Sequence, residues 1–118
     1  INKPKIIIID DLSLYINKKE LSEIFTELRK YNEQEKITII TMTSSLDNVL
    51  KTDYIYVINE SEIVIEGAPQ EVLEKDNILN KSGLELPFMM DLSVKLRDYD
   101  LIKNIELDMD RMVDLLWN

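Results

Sequence analysis

The sequence predicts an α/β fold: helices flanking parallel strands, followed by a small α-helical extension. Three observations predict it. Lys5-Ile6-Ile7-Ile8-Ile9-Asp10-Asp11 carries four consecutive β-branched residues with no polar face, the pattern of a strand buried on both sides in a parallel sheet. Ile37-Thr38-Ile39-Ile40-Thr41-Met42 is a second β-branched run, separated from the first by apolar residues at helical spacing. After residue 75 the chain turns polar and then helical, with no further strand signal.

Composition bounds what such a chain does. Its 118 residues make one small domain or part of a larger one. The apolar fraction of 45% and charged fraction of 31% place it with folded proteins rather than disordered tails. No apolar run approaches the ~20 residues of a membrane-spanning helix, and the lack of cysteine excludes a disulfide framework. A net charge of −9 offers no basic patch for phosphates, so nucleic acid is not an expected partner. The absence of histidine excludes His-ligated metal sites and His-dependent triads. Gly67 and Gly83 are the only glycines, too few for a glycine-rich phosphate loop within the chain. Ile1-Asn2-Lys3 opens without methionine just ahead of a buried strand, which reads as a cut through a larger protein.

The elements follow in order. Beyond the acidic pair, Asn17 with Glu20 three residues later reads as a helix N-cap and its capping-box partner. Leu21, Ile24, Phe25, Leu28 and Tyr31 then define an amphipathic helix to about Tyr31. With the strand at 37–42 this makes a βαβ unit. Thr43-Ser44-Ser45 ends that strand, and either serine can cap the short turn carrying Leu46, Val49 and Leu50. Tyr54–Ile58 and Glu62–Ile65, separated by Asn59-Glu60-Ser61, read as an antiparallel hairpin. Pro69 suits the first position of a helix through Leu73. Lys75 to Leu84 reads as a polar linker around Gly83. Leu86 to Leu96 suggest one or two helices, and Met109, Met112, Val113, Leu116 and Trp117 a terminal helix capped by Asp108. The expected division is therefore 1–75 and 76–118.

Two adjacent carboxylates at the C-terminal end of a buried parallel strand lie where open α/β sheets place their ligand chemistry. Three meanings compete: a nucleotide-hydrolase strand, the acidic pair of a phospho-acceptor receiver domain, or a plain strand ending in a cap. A receiver needs a phospho-acceptor Asp at the end of a later buried strand. Here the candidate strand ends in Asn59 and a hairpin interrupts the alternation of strand and helix. The order of elements instead resembles the C-terminal half of an ABC-transporter ATPase subunit. Pro4 to Asp10 is similar to that family's Walker B strand, and Ile37 to Thr43 to the strand leading to its switch loop. Ile63-Val64-Ile65-Glu66-Gly67-Ala68-Pro69-Gln70-Glu71-Val72 carries the most specific likeness. Gly83-Leu84-Glu85-Leu86-Pro87-Phe88, Leu92-Ser93-Val94-Lys95-Leu96 and Met112-Val113-Asp114-Leu115-Leu116-Trp117 resemble the C-terminal extension of energy-coupling factor (ECF) ATPases. The implied fold is the C-terminal half of a P-loop NTPase sheet plus that extension.

The resemblance implies roles. Asp10 stands where the family holds Mg²⁺ through water, since a hard cation bridging phosphates takes oxygen ligands and keeps several waters. Asp11 stands where a glutamate orients the attacking water, but it is one methylene shorter, and errors near an ångström cost ~10²-fold in rate. Ser44 stands at the switch-loop histidine, with a hydroxyl too short to reach a γ-phosphate and unable to carry positive charge; capping the next turn is its ordinary alternative. Leu12-Ser13-Leu14-Tyr15-Ile16-Asn17 replaces a small-residue loop that crosses to the partner subunit, and Tyr15 is bulky there. ATP and Mg²⁺ are the implied cofactors, both requiring a glycine-rich loop and signature motif that this chain lacks. The chain alone is expected to be inactive, and the site degenerate. Implied partners are a second ATPase subunit, a transmembrane scaffold and a substrate-binding membrane subunit. Met89, Met90, Met109, Met112 and Trp117 read equally as core or as a surface for the partner ATPase. A non-catalytic assembly module and a receiver-type signalling domain are the rival readings.

Overall fold

The computed structural model describes residues 3–117. The chain divides into two compact units at Asp53–Tyr54. The division expected at residue 75 falls inside the second unit.

In the first unit, β1 (Ile6–Asp10) pairs in parallel with β2 (Thr38–Met42), in register from Ile6↔Thr38 to Asp10↔Met42. The connecting helix α1 (Lys18–Glu35) covers one face, where Ile9 and Thr41 meet Leu21, Phe25 and Leu28 around a narrow cavity. The other face is open: Ile6 is 58% and Ile8 65% exposed, with Ile40 and Met42 beside them. Within this chain, the strand expected to be buried on both sides is covered on one face. A β-branched run specifies a strand, whereas the number of layers over it depends on which other elements reach it.

Asn17 caps α1 as expected, its side chain accepting the Glu20 amide at 3.0 Å. The helix runs past Tyr31 to Glu35, since nothing in Asn32-Glu33-Gln34-Glu35 breaks it and Arg29 pairs with Glu33 one turn on. Lys36 closes it in the left-handed region (φ 55°), donating its amide to the Asn32 carbonyl at 3.0 Å. From the 3-10 turn Val49–Lys51, the Lys51 ammonium reaches back to α1. It donates to the Ser22 carbonyl at 2.9 Å and to the Ser22 hydroxyl at 2.7 Å.

In the second unit, β3 (Ile55–Asn59) and β4 (Glu62–Gly67) form the expected hairpin, with a register shift at Val57/Ile58. Its tip, Glu60-Ser61, takes positive φ at both residues (49° and 64°), the geometry a two-residue turn needs to follow strand twist. Gly67 (φ 152°) ends β4 where an added Cβ lies 3.0 Å from the Glu71 carboxylate. Pro69 opens α2 (Pro69–Leu73), which buries Val72 and Leu73.

The expected linker is overturned. Asp76–Lys81 is a helix, α3, whose Leu79 is fully buried and whose Asp76 meets Arg97 at 3.3 Å. One buried leucine and one ion pair order a segment whose composition is otherwise that of a turn. After α3, α4 (Phe88–Asp98) and α5 (Met109–Trp117) complete the unit. Asp108 caps α5, accepting the Arg111 amide at 2.9 Å. The methionines divide: Met90 and Met112 are core, whereas Met109 is half exposed and Trp117 86% exposed. Among the described residues no helix is long and apolar enough to cross a membrane.

Candidate functional site

The parallel register places the ends of β1 and β2 side by side, and the two loops leaving them carry the residues of interest. Asp10 closes β1 with an exposed carboxylate, one of whose oxygens accepts the Asp11 amide at 2.9 Å. Its other oxygen accepts no hydrogen bond among the described residues. Asp11, half-buried, sits at the N-cap of a 3-10 turn (Leu12–Leu14). Its Oδ1 accepts the Ser13 amide at 3.2 Å and also the Ser13 hydroxyl. Its Oδ2 accepts the Ser44 hydroxyl, at 3.3 Å, from the loop after β2. The Ser13 hydroxyl bond holds the Asp11 carboxyl below the usual carboxylate range; partial burial opposes this, and the Ser13 amide and Ser44 add to it.

The structure therefore brings Asp11 and Ser44 into contact, with Asp10 adjoining. It also corrects the capping assignment for Ser44. The turn that follows is organised by its neighbours: Thr43 Oγ1 accepts the Ser45 amide at 3.1 Å, and Ser45 Oγ accepts the Asp47 amide at 3.2 Å. That leaves the Ser44 hydroxyl free to face the first loop. For Asp11 the capping alternative describes the observed geometry. Ser13 is a site residue that the sequence reading passed over, although Asp-x-Ser is the spacing at which a carboxylate captures a backbone amide two residues on. Leu14 and Tyr15 project into solvent, Tyr15 at 84% exposure.

The free oxygen of the exposed Asp10 carboxylate suits a hydrated hard cation such as Mg²⁺, which takes oxygen donors and keeps several of its waters. Among the described residues there is no cluster of three or more acidic side chains. Gly67 and Gly83 both serve in the second unit, at a strand end and after α3.

No family model matches the chain. Among curated proteins it is similar to the energy-coupling factor transporter ATP-binding protein EcfA1 of Listeria monocytogenes serotype 4b, 36% identical over 94 residues, covering 80% of this chain and 34% of that protein. EcfA1 of Geobacillus kaustophilus is 27% identical over 116 residues, covering 98% of this chain and 42% of that protein. EcfA of Pediococcus pentosaceus is 31% identical over 109 residues, covering 92% and 39%. The chain thus spans between 34% and 42% of the length of these relatives. Among solved structures it is similar to cbiO1 from Clostridium perfringens, described as part of the ABC transporter complex cbiONQ. The TM-score is 0.57 at 28% identity, covering 75% of this chain and 36% of that one.

Proposed function

We propose that this chain, which resembles the C-terminal part of an ECF-type ABC ATPase subunit and whose curated relatives are ATP-binding proteins of such transporters, supplies half of a degenerate ATP site. The observation that carries the reading is the hydrogen bond from Ser44 to Asp11, with Asp10 the preceding residue, at the adjacent ends of β1 and β2. Asp10 would hold hydrated Mg²⁺, which when bound neutralises charge on the nucleotide phosphates. Asp11 occupies the place of the water-orienting group but reaches less far than glutamate. Ser44 donates its hydroxyl to Asp11 and presents no cation to a phosphate. The rest of the site, including the loop that cradles the phosphates, comes from sequence outside this chain. In the assembled importer the subunit lies on the cytoplasmic face of the membrane, beside a second ATPase subunit and against a transmembrane scaffold with its substrate-binding membrane subunit. ATP hydrolysis there drives uptake of a micronutrient, a vitamin or a metal ion.

A second reading, a non-catalytic assembly module, is favoured by one feature of α5: Met109, Val113, Leu116 and Trp117 form an exposed apolar stripe along one side of the helix.

Two measurements test the first reading. The chain alone binds no ATP by calorimetry, and micromolar affinity would overturn the proposal that the phosphate cradle lies elsewhere. In the assembled transporter, Ser44→His combined with Asp11→Glu raises ATP turnover. An unchanged rate with intact assembly rules out the degenerate-site account in favour of the assembly module.

A further inference from the structure

We propose that Ser13 is a positioning residue which, with Ser44, holds both oxygens of the Asp11 carboxylate, making Asp11 a latch between the loop after β1 and the loop after β2. The assignment rests on the proposed ATP site only in calling Asp11 the occupant of the water-orienting place. The latch itself is a property of the chain. Oδ1 is held by the amide and hydroxyl of Ser13 two residues on, and Oδ2 by the hydroxyl of Ser44, 33 residues away. A group that orients water must point a lone pair at it from hydrogen-bond distance. Rotating the Asp11 carboxylate breaks contacts on both oxygens, while Oδ2, with one donor, keeps a second lone pair open. Asp10 differs: one of its oxygens takes a local amide and the other is available. The two carboxylates of the pair thus have separate tasks, Asp10 facing outward and Asp11 tying the two loops together.

The Ser13 contact also sets the turn that leads into α1. With Asp11 accepting the Ser13 amide, the Tyr15 amide reaches the Leu12 carbonyl at 3.1 Å and closes the 3-10 turn. Loss of the Ser13 hydroxyl acts on the orientation of the carboxylate, whereas the backbone amide contact that sets the turn is kept. Ser45, one residue beyond Ser44, bonds only within its own loop and supplies a control.

The experiment is solution NMR of the 118-residue chain at neutral pH with ¹³C-labelled aspartate. Ser13→Ala, which removes the hydroxyl bond and keeps the backbone amide bond, shifts the Asp11 carboxyl resonance. Ser13→Thr, which keeps the hydroxyl, restores it. Ser44→Ala shifts the same resonance through the other oxygen, and Ser45→Ala leaves it in place. An Asp11 resonance unmoved by both Ser13→Ala and Ser44→Ala overturns the latch, as does failure of Ser13→Thr to restore it. Unchanged β2 amide shifts verify folding; should Ser13→Ala unfold the chain, the Ser44→Ala shift decides by itself. No nucleotide enters the experiment, so a failure of the ATP-site reading shows only in the calorimetry and turnover measurements.

Discussion

The two units are held together by different means. The second, from Tyr54 onward, owns the side chains most completely removed from solvent: Leu79, Met90, Met112, Val72 and Ser93. The first buries Leu21, Ile37, Leu46 and Val49 less completely, leaves one sheet face open, and relies on polar ties such as Lys51 to Ser22 and Arg29 to Asp53. The candidate site sits in the first unit. Polar loops joined by hydroxyls and carboxylates can be rearranged at modest cost, whereas a close-packed apolar core resists change.

The largest test of this contrast is Met90→Ala. It empties a fully buried position in the second unit and is expected to cost about 2–5 kcal/mol in urea unfolding. A smaller cost would mean that the second unit is no better packed than the first. Next is Ser93→Ala. Ser93 Oγ accepts the Glu106 amide at 2.7 Å, and stranding that donor is expected to cost about 1–3 kcal/mol. In the first unit, Asn17→Ala removes the α1 cap and is expected to cost about 1 kcal/mol, with exchange quickened at the Glu20 amide.

The smallest effect expected is a pH dependence at the hairpin. Partial burial of Tyr54 raises its pKa above the ordinary tyrosine value, and the nearby Glu66 carboxylate adds to the shift. The folded state therefore prefers the neutral phenol. Its contribution is fully present below the unfolded tyrosine pKa and is lost as pH rises through the elevated folded one. Hairpin stability followed by circular dichroism through the alkaline range is expected to fall there, and Glu66→Gln to shift the fall to lower pH.

Much of this was legible because it is local. Asn17 and Asp108 cap helices by reaching amides three residues on, and Pro69 opens α2 through its fixed backbone angle. The Gly-Ala-Pro break and the runs of β-branched residues likewise declare themselves without distant partners. The candidate site was legible in its residues but not in its wiring. Ser44 and Ser45 are chemically identical neighbours, and only the position of Asp11 across the register decides which of them faces the first loop. Ser13 is not legible as a site residue in the sequence, because its spacing from Asp11 is also that of an ordinary turn.

The α/β order of elements, the caps and the hairpin are readable from the sequence because each depends on residues within a few positions of one another, and the resemblance to ECF-type ABC ATPases because its motifs, spread from Pro4 to Trp117, are each short. Tertiary structure alone decided which face of β1 stays open, that Leu79 turns a polar stretch into a helix, that Met90 and Met112 are core while Trp117 is not, and that Asp11 is tied to Ser44. Each of these depends on which distant side chains meet, and composition and periodicity carry no record of that.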